Sequence, residues 1–598
     1  MKELAYLNYH FKNYRWHLFG GIVFVAISNM FAIFPAQIIR YAIDFVQDTL
    51  ITFPIFDSGE LRADYEALLV KAVLLFSGLT LVLALLKGLF LYLTRQTIIV
   101  MSRHIEFDMK NDIFNKYQQL SMSFYKQNNT GDMMNRISED VSRVRMYIGP
   151  AIMYTINLVV LFVMVILTMW SVNAELTLYV LTPLPFLSML IYWVSKQINK
   201  KSERVQAKLS DLSTFVQEAF SGIRVIKAYN RLPEREFEFT EHCNDYKNTS
   251  LDLVKVNALF MPAMILLIGL STILTIYIGG RLTIEGKISP GNIAEFVIYV
   301  NMLTWPVASV GWVTSLVQRA AASQKRINEF MKAENEIENS NTEAFETKGH
   351  VKFDHVNFEY PDSGVKALRD VSFEVMPGKS LAIIGSTGSG KSTIANLICR
   401  LYDVQKGTIE VDGKSIQKVN LDHYRSSIGY VPQDVFLFSD TISNNISFST
   451  MIADTDRNAV EKAAKDAYVY SNIVGFPNGF ETRVGERGIT LSGGQKQRIS
   501  IARAIIKEPK ILIFDDCLSA VDTETEEKIL HNLKDLMHGK TTIIISHRVS
   551  SVKNCDDIIV LDDGAIIEQG NHQSLIGKKG VYFDIHEQQQ LESMKIVD

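Results

Sequence analysis

The chain has 598 residues, of which 47% are hydrophobic and 21% charged, and its formal net charge is −4. This length is too great for a single domain, and the slightly acidic balance gives no indication of a nucleic acid partner. Four cysteines, Cys243, Cys399, Cys517 and Cys555, have no metal-type spacing. We expect buried reduced thiols rather than a disulfide framework.

Six apolar runs lie in the first half of the chain, and each is long enough for a helix that crosses a membrane. Residues 1–15 carry basic and aromatic side chains, which indicates an amphipathic lead-in on the membrane surface rather than a signal peptide. The predicted membrane helices are residues 16–46, 67–100, 146–171, 174–196, 256–280 and 292–318.

Basic residues predict the orientation of these helices. The segments between helices two and three and between helices four and five are rich in Lys and Arg, whereas the first loop is acidic. The positive-inside rule therefore places both segments and both chain termini in the cytoplasm. We expect a membrane domain at residues 1–330, a polar linker at 331–349 and a second domain at 350–598.

Both inside segments are long and helical in pattern, so the membrane helices should extend well into the cytoplasm. Each segment contains a polar turn, at residues 123–132 in the first and at residues 210–215, leading to 222–229, in the second. Two interpretations remain open on the pattern alone. The turns are either solvated hairpins or contacts that transmit motion from the second domain.

Polar residues inside the predicted membrane helices are functional candidates because placing them against lipid is costly. Lys87 is the deepest charge, and it either faces a substrate cavity or pairs with a neighbouring helix. Arg40, Asp44 and Glu295 lie near helix ends, where side chains can snorkel to the surface. The remaining candidates are Asn29, Gln37 and Asn301.

A glycine-rich stretch follows the apolar run 381–384 and precedes a helix-like segment. It consists of Gly385, Ser386, Thr387, Gly388, Ser389, Gly390, Lys391 and Ser392. In a P-loop of this pattern, backbone N–H groups surround the phosphates, the lysine reaches the β- and γ-phosphates, and the hydroxyl after it ligates Mg²⁺. The stretch therefore predicts a nucleoside triphosphate site.

Further candidate residues flank the P-loop. The apolar strand at 511–514 ends in Asp515 and Asp516, where a P-loop enzyme places its Mg²⁺-organising aspartate. His547 follows the apolar strand 541–545, at the edge of an open α/β sheet where ligands bind. Tyr360, upstream of the P-loop, is well placed to stack on a nucleotide base.

A second glycine motif precedes the helix-like segment 496–506. It consists of Leu491, Ser492, Gly493, Gly494 and Gln495, and glycines at a helix N-terminus form an anion site. It lies more than 100 residues after the P-loop. If both motifs bind one γ-phosphate, they are most simply supplied by two copies of the domain.

This order of motifs behind six membrane helices resembles the ATP-binding-cassette exporters, and more narrowly a half-transporter of the bacterial multidrug and lipid exporter group. The resemblance rests on the P-loop, Gln433 in the stretch 430–434, the signature 491–495, Asp515, the stretch 519–522 and His547. It implies a membrane α-helical bundle fused to an α/β nucleotide-binding domain. It also implies a dimer in the bacterial cytoplasmic membrane, with two ATP sites that each pair one chain's P-loop with the other chain's signature.

The resemblance assigns roles to individual residues. Tyr360 stacks on adenine, Thr393 adds to the ATP contacts, and His547 holds the γ-phosphate. Ser392, Gln433 and Asp515 hold Mg²⁺, and Gln433 also senses the γ-phosphate and contacts the membrane domain. Asp522 couples the two sites, and the exporter-specific stretch 482–488 meets the turns of the inside segments, which favours the docking interpretation of those turns.

One position departs from the family pattern. The family usually has a glutamate after the Mg²⁺ aspartate, to polarise the attacking water, whereas this chain has Asp516. The aspartate is one methylene shorter, and a misplacement of about 1 Å can reduce a rate by about 10²-fold. With an intact signature, this favours one half of an asymmetric heterodimer, whose own site binds ATP and hydrolyses it slowly. The alternative is a homodimer in which Asp516 acts directly as the base.

The predicted function is ATP-driven export of an amphipathic drug, lipid or similar molecule by alternating access. The cofactors are ATP and Mg²⁺, and the partners are a second half-transporter and the bilayer. A soluble ATPase acting on nucleic acid is excluded by the six membrane helices. A membrane protein gated by ATP without net transport remains an alternative.

Overall fold

The computed structural model describes residues 2–52, 60–339, 341–450, 456–485, 488, 490–517 and 536–597. The chain divides into two compact units. The membrane unit comprises Met1–Lys116 and Gly131–Lys332, and the α/β unit comprises Tyr117–Thr130 and Ala333–Asp598. The predicted fold class, a six-helix membrane bundle fused to an α/β nucleotide-binding domain, is confirmed.

Two sheets form the α/β unit. A four-stranded antiparallel sheet has the order β2-β1-β4-β5, and a six-stranded sheet has the order β10-β9-β3-β8-β7-β6. The strands are β1 Val351–Glu359, β2 Lys366–Val375, β3 Ser380–Gly385, β4 Lys406–Val411, β5 Lys414–Ser415, β6 Ile428–Val431, β7 Ile511–Asp515, β8 Thr541–Ile545, β9 Asp557–Asp562 and β10 Ala565–Gly570.

The six-stranded sheet is parallel except for β10, and it is buried on both faces. Ile383 and Ile384 are neighbours on β3 that contribute to different cores, because successive strand residues point to opposite faces. The α-helices that the described residues of the α/β unit form are Met122–Gln127, Lys391–Ile398, Leu421–Ser426, Ile442–Ser447, Arg457–Asp466, Tyr470–Val474, Gly493–Ile505, Val549–Val552, His572–Lys578 and Val581–Val597. Cys399, Cys517 and Cys555 are buried as expected, and Cys243 is half-buried.

The register of the parallel strands aligns their carboxyl ends. Ile545 of β8 pairs with Ile383 of β3 on one side and with Asp515 of β7 on the other. The P-loop, Asp515 and the residues that follow β8 therefore leave the sheet at the same edge.

The segment predicted as a linker packs on the α/β unit after helix Pro290–Met331 ends. Ile337 and Phe345 lie against the core that contains β1 and β2. The Nδ2 of Asn339 donates to an oxygen of Asp422 over 3.0 Å. The two partly buried apolar side chains thus attach an otherwise polar segment to this core.

Six helices of the described residues are long and apolar enough to cross a membrane. In chain order, helices 1 to 6 are Arg15–Thr52, Ala63–Gln119, Thr130–Val172, Ala174–Ser221, Leu232–Ile284 and Pro290–Met331. A 3-10 turn at Lys2–Leu7 and a short helix at Asn8–Asn13 precede helix 1. Helix 2 contains a π-helical turn at Arg95–Ile99, and the core of the bundle includes the fully buried Val165, Leu176 and Phe296.

The two inside turns differ from each other. The first has a short helix, Met122–Gln127, and a break before Thr130, so residues 123–132 form a turn as predicted. The prediction of a turn at 210–215 is wrong, because these residues continue helix 4. The chain turns after Ser221, where Gly222 caps the helix, so the turn lies in the second part of the predicted segment, 222–229. Asn230 adopts a positive φ of 51° before helix 5 begins at Leu232. Ser and Asp therefore mark an exposed helix face here rather than a break.

A buried polar network joins helices 1 and 6, which corrects the expectation that Arg40, Asp44 and Glu295 snorkel. Glu295 is fully buried; it accepts hydrogen bonds from Arg40 Nη1 over 3.2 Å and from the Tyr299 hydroxyl over 2.9 Å. Asp44 accepts from the Ser289 hydroxyl and the Gly291 N–H. The carboxylates have partners on the neighbouring helix, and therefore do not need to reach the membrane surface.

We expect Glu295→Gln to lower the thermal midpoint of the detergent-purified protein markedly. Breaking a buried ion pair by removing one partner costs about 3–5 kcal/mol, because a buried charge remains uncompensated. The matched control is Glu175→Gln, whose partner Arg281 lies 3.0 Å away with both side chains more than 40% exposed. An exposed pair of this kind contributes about 0–1 kcal/mol. Equal midpoints for the two variants would show that the Arg40–Glu295 pair adds no more than a surface pair.

Candidate active site

The P-loop connects β3 to the helix Lys391–Ile398. Gly388 and Gly390 adopt positive φ values of 83° and 100°. A side chain at Gly390 would also collide with the carbonyl oxygen of Ala367. Glycine is therefore required where the loop turns into the helix, and the turn directs the helix N-terminus toward the loop.

Lys391 lies at the first position of that helix, and only 6% of its surface is exposed. Its Nζ donates hydrogen bonds to the carbonyl oxygens of Gly385 over 3.0 Å and Ser386 over 2.7 Å. Burial lowers the pKa of Lys391, whereas the carboxylates of Asp516 and Asp515 raise it. The ammonium group is thus held inside the loop by weak acceptors, which a phosphate oxygen can replace.

Asp515 ends β7 next to the P-loop helix. The Ser392 hydroxyl donates to Asp515 Oδ1 over 2.9 Å, and the Tyr430 hydroxyl also bonds this carboxylate. Burial raises the pKa of Asp515, and the nearby Asp516 raises it further. A buried carboxylate beside a hydroxyl is an oxygen donor set that suits Mg²⁺, and a bound cation would favour the charged carboxylate that burial opposes.

Asp516, Gln433 and His547 converge beside this pair. Gln433 Nε2 lies 3.5 Å from Asp516 Oδ2, a long separation for a hydrogen bond. Asp516 has a positive φ of 45°, and its N–H donates to the carbonyl oxygen of Ile545 over 2.9 Å. The pKa of His547 is lowered, because burial and the charge of Lys391 disfavour the protonated ring. Asp516 and a hydrogen bond with the Gly385 backbone act in the opposite direction.

Tyr360 lies beside the P-loop helix, and its hydroxyl is 3.0 Å from the Thr393 hydroxyl. The Nζ of Lys126 lies 4.2 Å from the centre of the Tyr360 ring and 5.4 Å from that of Tyr402. Lys126 belongs to the first inside turn, which is part of the α/β unit. The aromatic residue predicted to stack on a base is therefore in direct contact with the chain between membrane helices 2 and 3.

The second glycine motif begins the helix Gly493–Ile505. Ser492 Oγ accepts from the Gln495 N–H, and Gln495 Oε1 accepts from the Ser492 N–H, so the two residues form a capping box. The remaining N–H groups of the first turn stay available to an anion. The hydrogen bonds of Ser492 and Gln495 that the described residues show lie within this motif, and none joins them to the P-loop.

Comparison with known proteins identifies the family. Residues 18–307 match the ABC transporter transmembrane region, and residues 368–519 match the ABC transporter domain. The multidrug resistance-like ATP-binding protein MdlA of Escherichia coli K12 is 32% identical over 595 residues, which cover 99% of this chain and 98% of MdlA. The chain belongs to the ABC transporters.

Other relatives place this ABC transporter among the multidrug and lipid exporters. The ATP-dependent lipid A-core flippase of Pseudomonas savastanoi pv. phaseolicola is 32% identical, with 98% of this chain and 95% of the flippase covered. A structure of a bacterial Atm1-family ABC exporter with ATP bound has a TM-score of 0.74 and 26% identity, and covers 96% of this chain and 98% of that chain. The predicted membership of the exporter-type half-transporters is confirmed.

The fold of this ABC transporter brings most of the predicted site residues to one edge of the sheet. These are Gly385, Ser386, Thr387, Gly388, Ser389, Gly390, Lys391, Ser392, Thr393, Gln433, Asp515, Asp516 and His547. The motif Ser492, Gly493, Gly494 and Gln495 caps a different helix. Asp522, the stretch 519–522, and Glu486 and Arg487 of the exporter-specific stretch lie outside the described residues.

The sequence reasoning missed Tyr430, Tyr402 and Lys126. Tyr430 lies on β6 beside β7, so strand order alone brings it to Asp515. In the sequence, Lys126 is one of many basic residues in the first inside segment. Its position in a polar turn, next to Tyr125, gives no signal for a cation–π contact with a residue more than 200 positions away.

The lowered pKa of His547 predicts a pH dependence of stability. Above its unfolded value of 6.5 the residue is neutral in both states, and as the pH falls from there the unfolded chain binds a proton that the folded chain resists. Stability is therefore lost on acidification. Between about pH 7.5 and about pH 5.5, a range that brackets the unfolded pKa, the thermal midpoint of His547→Gln should fall by less than that of the native protein.

His355→Gln is a control of opposite sign. A hydrogen bond with Asp370 raises the pKa of this exposed histidine, so it stabilises the fold at low pH and loses that contribution as the pH rises through the raised pKa. Its substitution should enlarge the loss on acidification. Changes of the same sign in both variants would contradict the proposed environment of His547.

Proposed function

We propose that this ABC transporter exports an amphipathic substrate across the bacterial cytoplasmic membrane by alternating access. ATP binding closes two nucleotide-binding domains, closure changes the access of the membrane cavity, and hydrolysis resets the cycle. ATPase activity coupled to transport follows from the family. The convergence of Lys391, Ser392, Asp515 and Asp516 carries the proposal, and the names of the multidrug and lipid A-core relatives support the substrate type.

The chain's own residues account for binding of the nucleotide. Loop N–H groups and Lys391 bind the phosphates, Tyr360 stacks on the base, and Thr393 positions Tyr360 through their hydroxyl contact of 3.0 Å. Ser392, Asp515 and Gln433 would hold Mg²⁺, which, when bound, neutralises negative charge on the phosphates. His547, neutral at pH 7 because its pKa is lowered, donates one ring N–H toward the γ-phosphate.

Asp516 is the base proposed to orient the attacking water. Its backbone lies in the left-handed region and is anchored by the hydrogen bond to Ile545. This hydrogen bond opposes a forward movement of the backbone that would compensate for a short side chain. The missing methylene therefore leaves the carboxylate about 1 Å from the position a glutamate would reach, a distance that can reduce the rate about 10²-fold.

A second chain is proposed to complete each site. The P-loop and the Ser492–Gln495 motif each present free helix N-terminal groups, but their hydrogen bonds do not join them in the described residues. We therefore propose a heterodimer in which this chain supplies an intact signature to its partner's P-loop. Its own P-loop, with Asp516, forms the slow site.

ATP hydrolysis by the chain purified alone in lipid nanodiscs tests the slow-site proposal. We expect a low native rate and an increase of at least about tenfold in Asp516→Glu, because the longer side chain restores the position of the base. Adding Lys391→Met to the Asp516→Glu variant should remove the gain, which shows that the activity arises at this P-loop. A substantial native rate that Asp516→Asn abolishes would instead establish a homodimer with Asp516 as the working base.

Net transport separates export from ATP-gated permeation. Inside-out vesicles containing the protein should accumulate a fluorescent amphiphile above the external concentration when ATP and Mg²⁺ are supplied. Movement that stops at equal concentrations would support a gated pathway and overturn the exporter proposal.

A further inference from the structure

A polar cleft lies among helices 1, 2, 3 and 6 of the membrane unit. Its volume is about 400 Å³, and all four helices contribute to its lining. Asn29 comes from helix 1, Lys87 and Arg95 from helix 2, Asn157 from helix 3 and Trp305 from helix 6. A cleft with this many polar side chains within apolar helices is a candidate functional site, because such groups are costly in a membrane.

The charged side chains that line the cleft are all positive. Lys87 and Arg95 are its two ionised side chains, and no Asp or Glu is among the described residues that line it. Neither cation has an acidic partner within ion-pairing distance in the described part of the chain. This contrasts with Arg40 on helix 1, whose charge is matched by the buried Glu295.

Asn29 supplies an independent indication of a ligand. It is 94% buried, at 6% relative exposure, and its Nδ2 has no hydrogen-bond partner among the described residues. An unsatisfied buried donor is unfavourable and is uncommon in native proteins. Asn29 lines the same cleft as the two cations, so a ligand with hydrogen-bond acceptors in this cleft would lie next to the unsatisfied donor.

Helix 2 spaces the two cations along the cleft. Lys87 and Arg95 are eight positions apart, which corresponds to about 12 Å of helix at ~1.5 Å per residue, and Leu91 lines the cleft between them. Arg95 begins the π-helical turn Arg95–Ile99, a local widening of the helix that is frequent at functional sites. The Ser28 hydroxyl donates to the Lys87 carbonyl oxygen over 3.3 Å, and this hydrogen bond joins helices 1 and 2 at Lys87.

Aromatic side chains complete the lining. Trp305 is 68% exposed, and Tyr154 packs edge-on against Trp312 with ring centres 5.4 Å apart. The Trp305 ring provides a large apolar surface next to the cations. The cleft therefore combines an anion-binding region with a surface for an apolar body.

We propose that this cleft binds amphipathic anions, molecules with a carboxylate, phosphate, sulfate or sulfonate group on an apolar body. Lys87 and Arg95 contact the anionic group, Asn29 donates a hydrogen bond to it, and Trp305 packs against the apolar part. This assignment rests on the proposed export function and narrows its substrate class. The same chemistry occurs in a lipid headgroup and in a soluble amphiphile.

Binding without ATP tests the assignment separately from transport. The probes are anilinonaphthalene sulfonate and phenylnaphthylamine, which has the same ring system without the sulfonate. Their fluorescence is titrated with native protein in phosphatidylcholine nanodiscs, and empty nanodiscs provide the background. We expect the sulfonate probe to bind about tenfold more tightly than the neutral probe, as one charge-assisted hydrogen bond would provide.

Substitutions of the two cations test whether the sulfonate probe binds in this cleft. Lys87→Met and Arg95→Met should each weaken binding of the sulfonate probe about tenfold and leave binding of the neutral probe unchanged, whereas Lys87→Arg should retain the native affinity. Lys71→Met is the matched control, because Lys71 lies on helix 2 but does not line the cleft. Equal affinity of the sulfonate probe for native protein, Lys87→Met and Arg95→Met would overturn the proposal, as would an equal loss in Lys71→Met.

Phosphatidylglycerol in the nanodiscs distinguishes the two sources of the anion. If it weakens probe binding to the native protein but not to Lys87→Met, an anionic lipid headgroup occupies the cleft. If the native affinity is the same in both lipids, the ligand is an amphiphile that enters from water. Because no nucleotide is present, failure of these measurements would leave the ATPase and export proposals standing, and inactive ATPase variants would leave the binding result unaffected.

Discussion

The nucleotide site depends on the register of three parallel strands. Ile545 of β8 lies opposite Ile383 and Asp515, so the chain leaves β3, β7 and β8 at the same level. The P-loop lysine, the two carboxylates and His547 consequently meet within a few residues of the strand ends. Moving one strand by a single residue would rotate its side chains to the other face of the sheet and separate the P-loop lysine from the aspartates.

Within this arrangement, desolvation and charge act against each other. Burial disfavours the charged forms of Lys391 and Asp515, while their mutual attraction favours them. A phosphate and a divalent cation would supply the missing partners. Burial of these charges is unfavourable, and a nucleotide bound with its cation would relieve that cost.

Charged side chains of the membrane unit occur in two different environments. Arg40 and Glu295 are paired and buried, and they join helices 1 and 6. Lys87 and Arg95 lie in a cleft without an acidic partner among the described residues. Pairing serves the architecture of the bundle in the first case, whereas the second leaves positive charge available to a ligand. In the α/β unit, Lys126 of the first inside turn lies instead over the ring of Tyr360.

The sequence by itself determined the six membrane helices, the α/β class of the second domain, the P-loop and the Asp515–Asp516 pair, because these depend on local apolar periodicity and on short contiguous motifs. It did not determine the Arg40–Glu295 pair, the Lys126–Tyr360 contact or the cleft around Lys87, whose members lie far apart in the chain. It also placed the beginning of the second inside turn too early, at 210–215, because Ser and Asp occur on exposed helix faces as well as in turns. Tertiary structure decided these features, since helix packing and strand order select which distant side chains meet, and the local pattern carries no information about that choice.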